Sequence, residues 1–470
     1  MRTAIAVPAP VEVLDRLVGD AVASRTGQDS GWAGAVRASR PLVGEVEGLR
    51  ERLRVAGISR VLLVTADGVG VVAEQLAPDE PRLIVLDGTD PVQVADALGG
   101  DLDATVLVVS TPPGAATDGV ELVWDTVARA MRVEGLDPAE QTVLVAPPGS
   151  PLLERAAGAT VVLGPPDVPG PWSAFTAYAL VPAGLAGADV GALLADAAEV
   201  RPALVADERD NPALVLGALL AGAQAVALAG PQAEAAAELI GAALGAAGPL
   251  PVVVEQPGAP GWDGALTVGP GGDVDLDGPL AAHPLLWQHA TAVAAHLLGF
   301  EVGQESHFPA PTGQESGFPA LPGTGYGDGF EDGGVVVQAL GRWLPPEVGS
   351  VADALKALVA IASGHLAVHA YLDRTDDASA AVLRAELARR TGLVTTFGWA
   401  PRCLPGTGRH VRGVLCQLTG GAEEGLEPLA ELQLAQAAAD AAERDVPVLR
   451  LHLTDRLIGL VTLARAVQEI

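Results

Sequence analysis

Strand-length apolar runs alternate with Ala- and Leu-rich helical runs along most of this 470-residue chain, the pattern that builds a parallel sheet covered by helices on both faces. The runs at 61–65, 83–87, 105–110, 142–146 and 160–163 read as strands, each followed by enough chain for a crossover helix. An Ala-rich stretch over 172–199 predicts one long helix. It leads into a second set of strands at 225–228, 251–255, 335–340, 366–372, 413–418 and 446–453. The fold class is therefore α/β, with two doubly wound parallel sheets flanked by helices. A chain of this length exceeds one ordinary hydrophobic core. The expected division is an N-terminal helical arm over 1–40, a first domain with its connecting helix over 41–200, and a second domain over 201–470 that ends in a C-terminal helix. Inside the second domain GQESHFPAPT is followed by the near copy GQESGFPALP, and this Gly/Pro/Ser-rich text reads as an exposed, flexible loop over 303–334.

Charge narrows the function. The formal net charge is −30 and the chain has a single lysine, Lys356, which disfavours nucleic acid, since phosphate backbones are held by clustered cations. No run of about 18 apolar residues is free of Gly, Pro or charge, so no membrane-spanning helix is expected. The N-terminus lacks the continuous apolar core of a secretory signal, and the expected location is cytoplasmic. Two cysteines, Cys403 and Cys416, lack metal-ligand spacing and are expected to be reduced and structural.

The text with the most chemistry in it lies near the C-terminus: GHLAVHAYL, then LRAELARRTGLVTTFGWAPRCLPGTGRH, then GVLCQLT. It resembles the C-terminal half of the phosphoglucose isomerase family, in particular the bacterial form often fused to transaldolase. Other landmarks follow in the same order from about residue 20 onward: VASRTGQDS, SRVLLVTADGVGVVAEQL, VLDGTDP, VLVVSTPPGAATDG, APPGSPLLE, WSAFTAYALVPAGLAGADV, NPALVLGALL and WQHATAVAAHLLG. The resemblance implies two sugar-isomerase domains with a sugar phosphate held between them at the carboxyl ends of strands, no metal or other cofactor, and a dimer. It also implies a reaction: glucose 6-phosphate and fructose 6-phosphate interconvert through an enediol, which takes a base, a ring-opening group and a cation.

Residue by residue, the family's reactive groups have been replaced. Its phosphate loop, Ser-Lys-Ser-Gly-Thr-Thr, corresponds to Ser110 followed by Thr111, Pro112, Pro113, Gly114, Ala115 and Ala116. Ser110, Thr111, Gly114 and Thr117 remain as substrate-binding candidates, but the prolines remove backbone N–H donors. A lost hydrogen bond to a charged group costs about 1.5–3 kcal/mol, so sugar phosphate is expected to bind weakly here. The proton-transfer Glu becomes Ala242, and Glu238 stands one helical turn away, about 5–6 Å, where it reads as a solvated surface residue. The enediolate-steadying Arg becomes Pro171, the His-Ser pair becomes Pro405-Gly406, and the C-terminal Lys is represented by Gln433 or its neighbours. Arg402, Thr407, Gly408, His410 and Arg412 form either a cationic loop end suited to an anion or an exposed polar turn.

His365 and His369 share a strand face without a third ligand, and no metal site is expected there. The Asp67-Gly68-Val69-Gly70 turn lacks the third glycine of a dinucleotide site. His283, His289 and His296 read as interface or surface residues. Two functional readings follow. One is a catalytically degenerate family member kept for ligand binding or for association with itself or a related enzyme. The other is a working aldose–ketose isomerase in which Glu238 or Glu208 and His410 take over as base and ring-opening group.

Overall fold

The computed structural model describes residues 2–28, 31–79, 83–256, 258–260, 264–299 and 329–470. A short strand, β1 (Arg2–Ile5), and helices within 11–55 precede a parallel sheet of β2 (Arg60–Thr65), β3 (Ile84–Leu86), β4 (Thr105–Ser110), β5 (Thr142–Ala146) and β6 (Thr160–Leu163) in the order β3-β2-β4-β5-β6. Continuous Val/Leu runs suit strands buried on both faces. Leu63, Val106 and Val108 face the core that holds the Val69–Leu76 and Ala177–Leu185 helices, while Leu62, Leu107 and Val109 face the one under Asp118–Val133. The sheet is doubly wound for that reason.

The second set of strands is distributed over two sheets. A middle sheet contains β7 (Ala225–Leu228), β8 (Leu250–Val253), β9 (Leu266–Val268) and β10 (Val274–Asp277), ordered β1-β10-β9-β7-β8. The N-terminal strand closes its edge antiparallel to β10, with Arg2 opposite Asp277. One continuous core joins this sheet to the first, threaded by the Ala282–Leu298 helix, which is buried along almost its whole length through Ala295. The C-terminal sheet has a core of its own. It contains β11 (Phe330–Asp332), β12 (Val335–Leu340), β13 (His365–Tyr371), β14 (Val394–Trp399), β15 (Val414–Gly420) and β16 (Val448–Leu453), ordered β11-β12-β16-β15-β13-β14. The run β14-β13-β15-β16 is parallel, and β12 and β11 extend it antiparallel.

Two expectations are corrected. The helix expected over 172–199 is three pieces: a tight turn Gly170–Phe175, then the helices Ala177–Leu185 and Val190–Leu204. Gly187 at φ 119° breaks the run, and Asp189 restarts it by accepting a hydrogen bond from the Ala192 N–H. The loop expected over 303–334 ends in a hairpin, since Gly333 and Gly334 take the positive φ values of a two-residue turn and Phe330–Asp332 pairs with β12. The duplicated text at 303–322 and the rest of that loop to 328 lie outside the described residues. Among the described residues no helix is long and apolar enough to cross a membrane.

Candidate functional site

In the first sheet the strand order reverses between β2 and β4, which marks the crevice where open α/β sheets place ligands. The turn after β2 carries Asp67 at φ 57° and Gly68 at φ 78°. Gly170 lies flush on this turn, since a side chain there would collide with the Asp67 carbonyl, and a side chain on Gly68 would meet Pro171 at 3.2 Å. Across the crevice Ser110 is buried and donates to the Tyr178 carbonyl at 2.9 Å. Thr111 and Pro112 are buried as well, and the Thr111 hydroxyl has no hydrogen-bond partner. Thr117 donates to Glu121 at 2.9 Å, while Gly114, at φ 77°, faces open space. Ser110 and Thr117 thus spend their hydroxyls on the protein.

The remaining candidates meet on the other side of the site, where residues 400–412 sit on the Ala233–Leu244 helix. Glu238 is not a solvated surface residue: it is 3% exposed. The Thr407 hydroxyl donates to its Oε1 at 2.7 Å, the Thr407 N–H reaches the same oxygen at 3.4 Å, and Oε2 is buried without a partner. The main chain of Gly406 covers it, since a side chain on Gly406 would strike Glu238. Burial, with Glu234 beside it, pushes the Glu238 carboxyl up to about 8 against the hydrogen bonds from Thr407 and the field of Arg402, so it is protonated at neutral pH. One turn on, Gly241 touches the Gly406 carbonyl and the Thr407 nitrogen so closely that a methyl group would approach them to 2.5–2.8 Å. Gly408 is locked by its N–H to the Cys403 carbonyl at 2.8 Å.

The loop end is not an exposed cationic turn either. Arg402 is buried, pairing with Asp87 at 3.0 Å, with Glu234 at 3.1 Å and with Glu74. Burial alone would lower its pKa, but the fields of Asp87, Glu234 and Glu74 outweigh that and hold the guanidinium charged. Arg374 joins the same group through Glu74 at 3.0 Å. Burial pushes the Glu74 carboxyl up, yet Arg402 and Arg374 bring it down to about 2. Three carboxylates neutralise the cation that the loop offered to an anion. Arg409 faces Asp67, whose carboxyl burial raises to about 6 against that cation and the Gly170 N–H.

His410 is buried, and desolvation together with Arg412, Arg409 and Arg444 lowers it to about 4, so its ring is neutral. Of the other histidines, His289 is a core residue, packed edge-on to Trp32 at 5.1 Å and lowered by burial to about 3, which corrects its surface assignment. His296 is exposed. His365 and His369 do share β13, but each has its own partner: Thr396 at 3.0 Å and Asp440 at 2.7 Å. Gln433 is buried and donates to Asp90 at 3.0 Å. Asp90 also pairs with Arg456, which holds Asp377 as well.

Asp87, Asp90 and Asp67 were visible as turn residues of VLDGTDP and TADGVG, yet nothing local signalled their Arg partners. Glu74, Glu234 and Arg374 carried no signal, because they are ordinary charged residues on helices and loops brought together from positions 168 to 328 apart in the chain.

Known proteins resemble part of this chain. It is 33% identical over 159 residues to the glucose-6-phosphate isomerase of Rippkaea orientalis, a match covering 32% of this chain and 30% of that protein. It is 35% identical over 161 residues to the glucose-6-phosphate isomerase of a Synechococcus strain, covering 32% and 30%. A probable glucose-6-phosphate isomerase of Haloarcula marismortui is 30% identical over 158 residues, covering 33% and 36%. The matches therefore span about a third of the length of these curated relatives. No family model matches the chain. Among solved structures, a glucose-6-phosphate isomerase from Chlamydia trachomatis superposes with a TM-score of 0.37 at 14% identity, covering 96% of this chain and 72% of that one. A hypothetical protein from Thermus thermophilus gives 0.38 at 16% identity, covering 98% and 88%.

Proposed function

We propose that the chain, about a third of which matches glucose-6-phosphate isomerases, is a catalytically degenerate member of that family, keeping the α/β scaffold for binding while the isomerase chemistry has been lost. The observation that carries this reading is the seat of residues 400–412 on the Ala233–Leu244 helix, with Gly406 covering Glu238 and Arg402 neutralised by three carboxylates. Enediol chemistry takes a base within about 3 Å of a substrate carbon. Ala242 offers a methyl group, and the carboxyl one turn earlier on the same helix, Glu238, is protonated and sealed under main chain. The phosphate side fails in parallel, with Pro112 and Pro113 where N–H donors are needed. The role left is association with a second copy or with a related enzyme of hexose-phosphate metabolism in the cytoplasm.

A coupled assay of glucose 6-phosphate formation from fructose 6-phosphate tests the loss of chemistry. The expected result is no turnover above background, and turnover at ordinary rates, about 1–10³ per second, overturns the reading. One observation favours the alternative of an active isomerase: Glu238 is a buried acid with an unpartnered oxygen. If any turnover is found, Glu238→Gln separates a working carboxyl, whose loss abolishes it, from contamination, which the substitution leaves unchanged. Association is read from light scattering of the purified chain and from co-purification with sugar-phosphate enzymes. A monomer that captures none of them counts against the binding role.

A further inference from the structure

The C-terminal sheet reverses its strand order between β13 and β15, since the chain steps from β13 to β14 on one flank and returns to β15 on the other. The connections leaving those two strands therefore part, and a crevice opens at their carboxyl ends. It is a cleft of about 630 Å³, within the range of small-molecule sites. Asp376 and Ser379 enter it from the loop after β13, Glu423 from the loop after β15, and Leu457, Leu460 and Val461 from the Arg456–Gln468 helix.

The walls differ in kind. One is apolar, with Leu457 76% and Val461 44% exposed. The other is acidic: Asp376 belongs to a group with Asp96 and Asp373 whose carboxylate oxygens lie within 4.8 Å of one another. Partial burial and the fields of Asp376, Asp373 and Glu423 raise the Asp96 carboxyl above its usual range. The cation on the lining, Arg456, is engaged by Asp90 at 2.7 Å and Asp377 at 2.6 Å. An acidic group on open surface would be a solvated patch. Here it stands beside an apolar wall at a strand reversal, a shape that excludes a sugar phosphate by charge and selects a cation by the same token.

We propose that this cleft binds a small organic cation, an amine or guanidine on an apolar body, with the charged group at Asp376 and Glu423 and the body against Leu457, Leu460 and Val461. The cleft shares Arg456 and Asp377 with the ion pairs at the edge of the candidate isomerase site, but Asp376, Glu423 and the apolar wall take no part in that site, and the proposal stands whichever way the isomerase assay falls.

Calorimetric titration of the full chain with tryptamine, its neutral isostere tryptophol and the anion indole-3-propionate tests it. Tryptamine is expected to bind saturably, and the other two at least about tenfold more weakly, the size of one exposed charge-assisted contact. Asp376→Asn with Glu423→Gln is expected to weaken tryptamine about tenfold, and Leu457→Lys by a similar factor through repulsion and lost apolar contact. These three residues are exposed, so the variants keep the fold, which a melting curve checks. Equal affinity for the three probes, no binding of tryptamine, or binding that neither variant weakens overturns the proposal.

Discussion

The crevice of the first sheet and that of the C-terminal sheet have the same plan and opposite fates. In each, a second strand lies on one flank of the first and the third lies on the other, giving β3-β2-β4-β5 and β14-β13-β15-β16. Both mark a place for a ligand. The first has been closed from within, by Pro171 against Gly68, by buried Thr111 and Pro112, and by Arg402 drawn onto Asp87 and Glu74. The other stays open and acidic. Topology thus fixes where a crevice lies, and the loops decide whether anything can enter it and with what charge.

The sharpest way to break this contrast is Arg402→Ala, which leaves Asp87, Glu74 and Glu234 facing one another with Arg374 as the remaining cation of the group. Removing one partner of a buried ionic group costs about 3–5 kcal/mol. Chemical denaturation is expected to find a loss of that size, and a loss below about 1 kcal/mol, the scale of an exposed ion pair, would mean the first crevice is not sealed by charge.

The buried acid gives the next effect, through pH. The Glu238 pKa is raised in the fold, from an ordinary 4.5 to about 8. Its contribution to stability is therefore full below about pH 4.5 and is lost as pH rises toward and through 8, at up to about 1.4 kcal/mol per pH unit. Glu238→Gln removes that slope, so unfolding free energies at pH 5, 7 and 9 should fall more steeply for the natural chain than for the variant. Parallel curves would place Glu238 in water. On the acid side the signs reverse: His289, lowered to about 3, and His365 and His410, lowered to about 4, are neutral in the fold, so their contribution is lost as pH falls from about 6.5 through those values.

Gly241→Ala tests the seat of the loop by its sign. On a free helix face the change would stabilise by about 0.5–1 kcal/mol. Against the Gly406 and Thr407 main chain, where backbone must shift, overpacking is expected to destabilise by about 1–3 kcal/mol. At the open crevice, by contrast, Glu423→Gln touches an exposed side chain and should move thermal stability by no more than about 0.5 kcal/mol.

The strands at 105–110, 142–146 and 160–163 were legible to the residue, because unbroken Thr/Val/Leu runs end at Pro, Gly or a polar turn. β14 was hidden, since Thr395, Thr396 and Gly398 interrupt its apolar run. β9 and β10 are only 3 and 4 residues long, too short for a period to register. The absence of a reactive side chain at Ala242, Pro171 and Pro112 was readable from the sequence. The closure of the site was not, because it is made by contacts between segments far apart in the chain.

Residue chemistry was determined by the sequence alone: which positions lack a proton-transfer group, which runs are apolar enough to be strands, and that the chain is strongly acidic. Environment was decided only by the tertiary structure. It turned Glu238 from a solvated carboxylate into a buried acid, spent Arg402 on Asp87, Glu74 and Glu234, and left Asp376 and Glu423 beside an open apolar wall. The reason is physical: a covalent formula carries a side chain's charge and shape, whereas its desolvation and its neighbours' fields exist only once distant segments meet.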